Sequence, residues 1–203
     1  MGESWAEAYA FIGNSLLDTM RHTGTAPLEP TFWDRFSEID DAGVHSALEG
    51  CAAWSSLMQD CPDPVTSASA EYTRLFVGAP KPLAPPWETF YRADGTTVGF
   101  GRATLDMQQR LRDAGLKVSN ENNQYADHIG IELLYLGVLC ERASKGDAAS
   151  ASAAASFTSE HLLPWLVKLQ AKVEAEFPGG YIACLLTLAK ALVEATASSM
   201  ACR

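Results

Sequence analysis

The chain has 203 residues, 47% of them apolar, enough to build one sizeable core. Its formal charge of −10 and pI of 4.8 oppose attraction to nucleic-acid phosphate and suit a basic peptide partner. No run approaches the roughly 18 continuous apolar residues of a membrane span. The opening Met-Gly-Glu-Ser-Trp-Ala-Glu lacks the basic-then-apolar order of an export signal, so the expected location is the cytoplasm.

In chain order the periodicity is helical almost throughout. Trp5, Tyr9, Ile12, Leu16 and Met20 recur at three- and four-residue spacing, the mark of one buried helix face. Gly24, Pro27 and Pro30 break the chain, and a short helix around Phe32 to Ile39 follows. A longer helix carries Val44, Leu48, Cys51, Trp54 and Met58. Asp63 is placed to cap the next one, with Pro64 at its first position, where a missing N–H costs little. On that helix Val65, Ser69, Tyr72, Leu75 and Phe76 share a face.

One long irregular stretch then runs from Gly78 to Gly101, with Pro80, Pro82, Pro85 and Pro86 and a turn signal at Asp94-Gly95. Helical pattern resumes near Ala103 with Leu105, Gln108 and Leu111, and Gly115 is suited to end it. The pattern from about Asn123 to Ser144 predicts a further helix. Ala148 to Ser156 is Ala/Ser-rich, yet alanine is the best helix former and apolar spacing continues through Phe157, His161, Leu162 and Trp165. It reads as a helix start, kinked or restarted at Pro164. A last helix follows Pro178-Gly179-Gly180 and carries Tyr181, Leu185, Leu188 and Leu192. No pair of alternating strands stands out. The expected fold is all-α, one helical-bundle domain over residues 1–203 with a long Pro-rich loop, near which two halves can meet. Long helices joined by short breaks also allow halves to exchange between subunits.

Phosphate-loop, His-Glu-x-x-His, Gly-x-Ser-x-Gly and dinucleotide motifs are missing, so no enzyme activity is expected. The five cysteines are scattered, without a Cys-x-x-Cys pair, and read as buried thiols of a reducing compartment. Asp127-His128 with Glu132, one helical turn on, reads either as a capping carboxylate beside a hydrogen-bonded histidine or as a ligand or catalytic set. In Pro85-Pro86-Trp87-Glu88 two prolines fix the backbone, so Trp87 is either a pin holding the loop to the core or a displayed recognition group. These residues by themselves name no function.

Four segments in order do. Glu71-Tyr72-Thr73-Arg74-Leu75-Phe76-Val77-Gly78, Ala84-Pro85-Pro86-Trp87-Glu88-Thr89-Phe90-Tyr91, Asp127-His128-Ile129-Gly130-Ile131-Glu132-Leu133 and His161-Leu162-Leu163-Pro164-Trp165 resemble the signature blocks of the TorD/DmsD/NarJ family. The Pro-Pro-Trp loop and Val98-Gly99-Phe100-Gly101 are most similar to its DmsD type. Some relatives carry Trp at the position of Tyr72 and at that of Pro80 or a neighbour, and a proline often stands where this chain has Tyr125.

The resemblance implies an all-helical chaperone without cofactor or metal. Its implied partner is the twin-arginine leader, and the body, of a molybdopterin reductase catalytic subunit of the DMSO/TMAO reductase type. It would assist folding, cofactor insertion and export, with contact to the Tat translocase. Carried over by position, the leader-binding residues are Tyr72, Leu75, Phe76, Pro86, Trp87, Tyr91, Gly101, Asp127 and His128. In physical terms Leu75, Phe76, Trp87 and Tyr91 would form an apolar groove, and Glu88, Asp127 and Glu132 would receive arginines. His128 would orient Asp127 or tune binding between roughly pH 6 and 7. Replacing Asp127 or Trp87 by alanine is then expected to weaken peptide binding with little change in melting temperature. The alternative is a small-molecule or guanine-nucleotide-binding helical protein.

Overall fold

A computed structural model describes residues 3–78, 80–92, 100–118 and 123–201, with side chains to 199. Cys202 and the Asp94-Gly95 and Val98-Gly99 signals lie outside these. Among the described residues there are nine α-helices and no strand. They are α1 (Glu3–Ser15), α2 (Met20–Thr23), α3 (Ala42–Met58), α4 (Pro64–Tyr72), α5 (Arg102–Asp113), α6 (Ile129–Ser144), α7 (Ala148–Ser156), α8 (Leu163–Glu176) and α9 (Tyr181–Ala201). All-α is therefore the observed class.

The helix boundaries follow capping chemistry. The Asp41, Asp63 and Asp147 side chains accept from the first-turn amides of α3, α4 and α7. Glu71 does the same for α9 from a distance of over a hundred residues, accepting from the amides of Tyr181 (3.0 Å) and Ile182 (2.8 Å). Trp5, Tyr9, Ile12, Leu16 and Met20 are all buried, as their spacing requires. The main helix crossing, α1 on α6, is close because both sides carry glycine. A Cβ on Gly130 would lie 2.5 Å from the Gly13 carbonyl oxygen, and one on Gly13 2.8 Å from that of Gly130. On the other side α9 packs against α3 and α8, and Tyr9 Oη meets Thr196 Oγ1 at 2.7 Å to tie α9 to α1.

Helix α9 holds no long continuous apolar run, yet it is long and apolar enough on average to meet the measure of a membrane span. Tyr181–Ser199 passes on length and mean hydropathy (1.4), yet 56% of it is buried inside the fold. Leu185, Leu186, Leu188, Ala189, Leu192 and Val193 are all inaccessible, so α9 is the bundle's central helix.

Three expectations shift. The Phe32–Ile39 helix is a tighter 3₁₀ segment, Pro30–Phe36. On α5 the buried face is Ala103, Thr104, Met107 and Leu111, while Leu105 is 52% exposed, because Thr104 turns inward to a buried carboxylate. Helix α6 starts at Ile129 rather than near Asn123, since Asn123 has a positive φ, Tyr125 to His128 form a tight turn and His128 pairs with the Pro-rich loop. Both α4 and α7 run into a single widened turn, Thr73–Val77 and Phe157–Leu162. Pro164 restarts the chain as α8 after the second. Cys51 and Cys140 are buried, Cys61 and Cys184 half-buried, and no two of these four are bonded.

Candidate functional site

The Pro-rich loop is held at its start by Leu83 and Ala84 N–H donating to the Arg74 and Leu75 carbonyls, and further on by a short antiparallel bridge, Trp87 opposite His128. Glu88 N–H donates to the Asp127 carbonyl (3.0 Å) and Ile129 N–H to the Pro86 carbonyl (2.9 Å). The bridge exists because two prolines hold the loop extended and a positive φ at Asn123 redirects the chain before α6.

Behind it, Asp127 is fully buried and its side chain accepts three hydrogen bonds. These come from Thr89 N–H (3.0 Å), Thr89 Oγ1 (2.6 Å) and, on the other oxygen, Thr104 Oγ1 (2.8 Å). One carboxylate thus clamps the loop to α5 and to the start of α6. Gly101 completes the clamp. Its N–H donates to Thr104 Oγ1 (3.2 Å), and a Cβ there would sit 2.7 Å from Thr89 Cγ2.

His128 caps α6, with Nδ1 accepting from Gly130 N–H at 3.0 Å. The proton of this neutral ring therefore sits on Nε2. Burial drives its pKa down to about 3, so it stays neutral throughout pH 6 to 7. The expected tuning of binding in that range is corrected on this ground. The cap is the histidine and the hydrogen-bonded clamp is the aspartate, the reverse of the roles read from sequence.

An aromatic ladder leads outward from here. Tyr72 meets Phe76 edge-on (5.3 Å), Phe76 meets His128 (6.4 Å), and His128 meets Trp87 (5.9 Å). Trp87 meets Tyr125 (6.3 Å), and Tyr125 meets Phe100 (5.8 Å). Its last rungs are the most open to solvent, Phe100 at 46% and Tyr125 at 42%, with Trp87 half-buried. Phe100 and Tyr125 border an open groove of about 500 Å³, also lined by the apolar Leu111, Leu116, Val118 and Ile131 and by the polar Gln108, Arg112, Asn123 and Gln124.

The structure brings the sequence-predicted residues together, and it places most of them beneath the surface. Tyr72, Leu75, Phe76, Pro86, Glu88, Asp127, His128 and Glu132 are buried, while Trp87, Tyr91 and Gly101 are half-buried. Leu75 and Phe76 are core residues rather than groove walls. Glu88, Asp127 and Glu132 expose no carboxylate to an arriving arginine, because each is turned toward partners within the protein.

For Glu88 and Glu132 those partners come from segments absent from the predicted set. Arg92 Nε donates to Glu88 Oε1 (2.9 Å) and its Nη1 to Asp106 (3.2 Å). Burial would lower the Arg92 pKa, but these two carboxylates outweigh it and hold it above its ordinary value. Trp165 Nε1 donates to Glu132 Oε2 (3.0 Å), and the Trp165 ring packs on Tyr91 at 5.6 Å. His161 Nε2 approaches Glu88 Oε2 to 3.0 Å and Glu132 Oε1 to 4.0 Å. Burial first, and the neighbouring Glu88 charge second, push Glu132 well above the usual carboxylate range. Thr89, Arg92 and Thr104 carry no sequence signal for these roles. His161 and Trp165 stood out in the sequence through apolar helix spacing and as part of a fourth matched block, neither of which gives them these partners.

A model of the nitrate reductase delta subunit family matches residues 40–171. The chaperone protein TorD of Vibrio cholerae serotype O1 is 28% identical over 162 residues, 68% of this chain and 73% of that protein. TorD of a Shewanella species is 27% identical over 157 residues, 75% of this chain and 68% of its own. The Tat proofreading chaperone DmsD of Salmonella typhi is 31% identical over 94 residues, 46% and 43% of the two chains. All three are chaperones by name. With four signature blocks meeting at one bridge and a family model spanning most of the chain, this protein belongs to the nitrate reductase delta subunit family, the TorD/DmsD/NarJ group.

Proposed function

We propose that the chain is a cytoplasmic, non-enzymatic chaperone that binds the twin-arginine leader of a molybdopterin-dependent reductase catalytic subunit before export. Family membership and the names of the relatives support the class. The observation that carries the reading is the solvent end of the aromatic ladder, where Tyr125 and Phe100, packed outward from Trp87 on the clamped loop, line a groove of mixed apolar and polar walls. Rigid aromatics of this kind bind peptide at low entropic cost.

On this reading the leader's apolar stretch lies along the groove, and the chain's negative charge draws in the basic element that precedes it. Trp87, Tyr91, Phe100 and Tyr125 make the contacts. Tyr72, Leu75, Phe76, Pro86, Gly101, Asp127 and His128 set their positions, and Glu88 and Glu132 act from behind the loop. The body of the reductase and the Tat translocase are the further partners this role entails.

Titrating the folded chain calorimetrically with leader peptides of the molybdopterin reductases encoded in its own genome tests the reading. Saturable binding to at least one leader is expected. Binding to none of them overturns it.

A further inference from the structure

Three buried side-chain atoms from distant segments converge behind the Trp87 loop. They are Glu88 Oε2 from the loop, Glu132 Oε1 from α6 and His161 Nε2 from the widened turn before α8. Among the described residues none of the three has a hydrogen-bond partner, although the histidine nitrogen lies 3.0 and 4.0 Å from the two oxygens. Each of the three residues offers a ligand atom within 4.8 Å of the other two. A point equidistant from atoms so spaced lies about 2.0–2.4 Å from each, which overlaps the lengths of zinc–nitrogen and zinc–oxygen bonds.

The surroundings suit an ion. Both carboxylates are oriented through their other oxygen, Glu132 by the Trp165 indole (3.0 Å) and Glu88 by Arg92 (2.9 Å). Such partners fix the direction of metal-bound carboxylates. Arg92 is shared between Glu88 and the half-exposed Asp106, which also lies 3.9 Å from Arg102. Among the described residues Glu132 has no closer ionic neighbour than His161 at 4.0 Å, and a divalent cation offsets the negative excess of the two buried glutamates. With its imidazole nitrogen and two carboxylates, the donor set is that of a first-row divalent ion.

We propose that Glu88, Glu132 and His161 bind one Zn²⁺-class divalent cation, which clips the Trp87 loop to α6 and to the turn before α8. An ion on Nε2 moves the ring proton to Nδ1, so the 3.3 Å approach of Arg92 Nη2 to that atom opens on loading. Arg92 keeps Glu88 and Asp106. The site does not depend on leader binding, and either can fail without the other.

The test uses the full chain, stripped with chelator and titrated with Zn²⁺ by calorimetry. One equivalent is expected, with a rise in melting temperature, and Glu132→Gln and His161→Gln each weaken binding at least about 100-fold. A Cys51→Ser/Cys184→Ser double variant binds as the wild type. X-ray absorption of the zinc-loaded wild type shows nitrogen and oxygen neighbours only, and this reading needs no variant to fold. No binding by the folded wild type overturns the proposal. So does sulfur in the shell, or loss of binding in the cysteine variant alone.

Discussion

Asp127 and Glu132 lie five residues apart in one matched block, both wholly buried, and they differ in what surrounds them. Asp127 accepts from three donors on two other segments, so its charge is dispersed and its position fixed. Glu132 has one donor, the Trp165 indole, and faces a second carboxylate across a histidine. A buried carboxylate with a full set of donors holds structure together, whereas one short of donors stores unfavourable free energy unless something joins it. Removing charge at the two positions should therefore have opposite consequences.

The largest effect is expected at Asp127. Asp127→Ala strands three buried donors and should cost about 3–5 kcal/mol in urea unfolding, with m unchanged. That departs from the expectation, drawn from sequence, of weakened binding with little change in melting temperature. A loss below about 1 kcal/mol would mean the clamp is not what holds the loop.

Acid sharpens the same side of the comparison. The fold keeps His128 neutral down to about pH 3, while the unfolded chain protonates it near its ordinary pKa of about 6.5. Its folded pKa is depressed, so this contribution is complete above about pH 6.5. It is lost as pH falls toward 3, by at most about 1.4 kcal/mol per pH unit. His128→Asn retains a capping side chain and should flatten that slope by up to one proton, read from urea melts at about pH 7 and about pH 5.

Gly101→Ala probes the clamp more gently. Its Cβ would press on Thr89 and lift it from Asp127, for about 1–2 kcal/mol in thermal or urea melts. Smallest of all, Glu132→Gln in metal-free protein should change stability by less than about 1 kcal/mol, or raise it. The amide oxygen still accepts from Trp165, and the uncompensated charge is gone. A loss as large as that of Asp127→Ala would erase the contrast between the two sites.

Most of the bundle was legible because it rests on local rules. Apolar spacing found α1, α3 and α9, and Asp63 announced the helix it caps. The α5 face was misread for a non-local reason, since Thr104 turns inward to serve a carboxylate 23 residues away and Leu105 is left outside. The start of α6 was misplaced for a related one, because Trp87 pairs with His128 only after the loop has folded back. The Glu88–Glu132–His161 convergence had no spacing signal at all, its members being drawn from three segments. The matched blocks converge on one neighbourhood of the fold, and only the fold shows which of its residues face solvent.

The leader-binding claim is met most directly by calorimetric titration of a cognate leader peptide into wild type and Tyr125→Ser side by side. Tyr125 stands at the exposed end of the ladder and takes no part in the clamp. The account predicts at least about tenfold weaker binding by the variant, a loss of about 1.4 kcal/mol, at an unchanged melting temperature. Equal binding by the two proteins would contradict it.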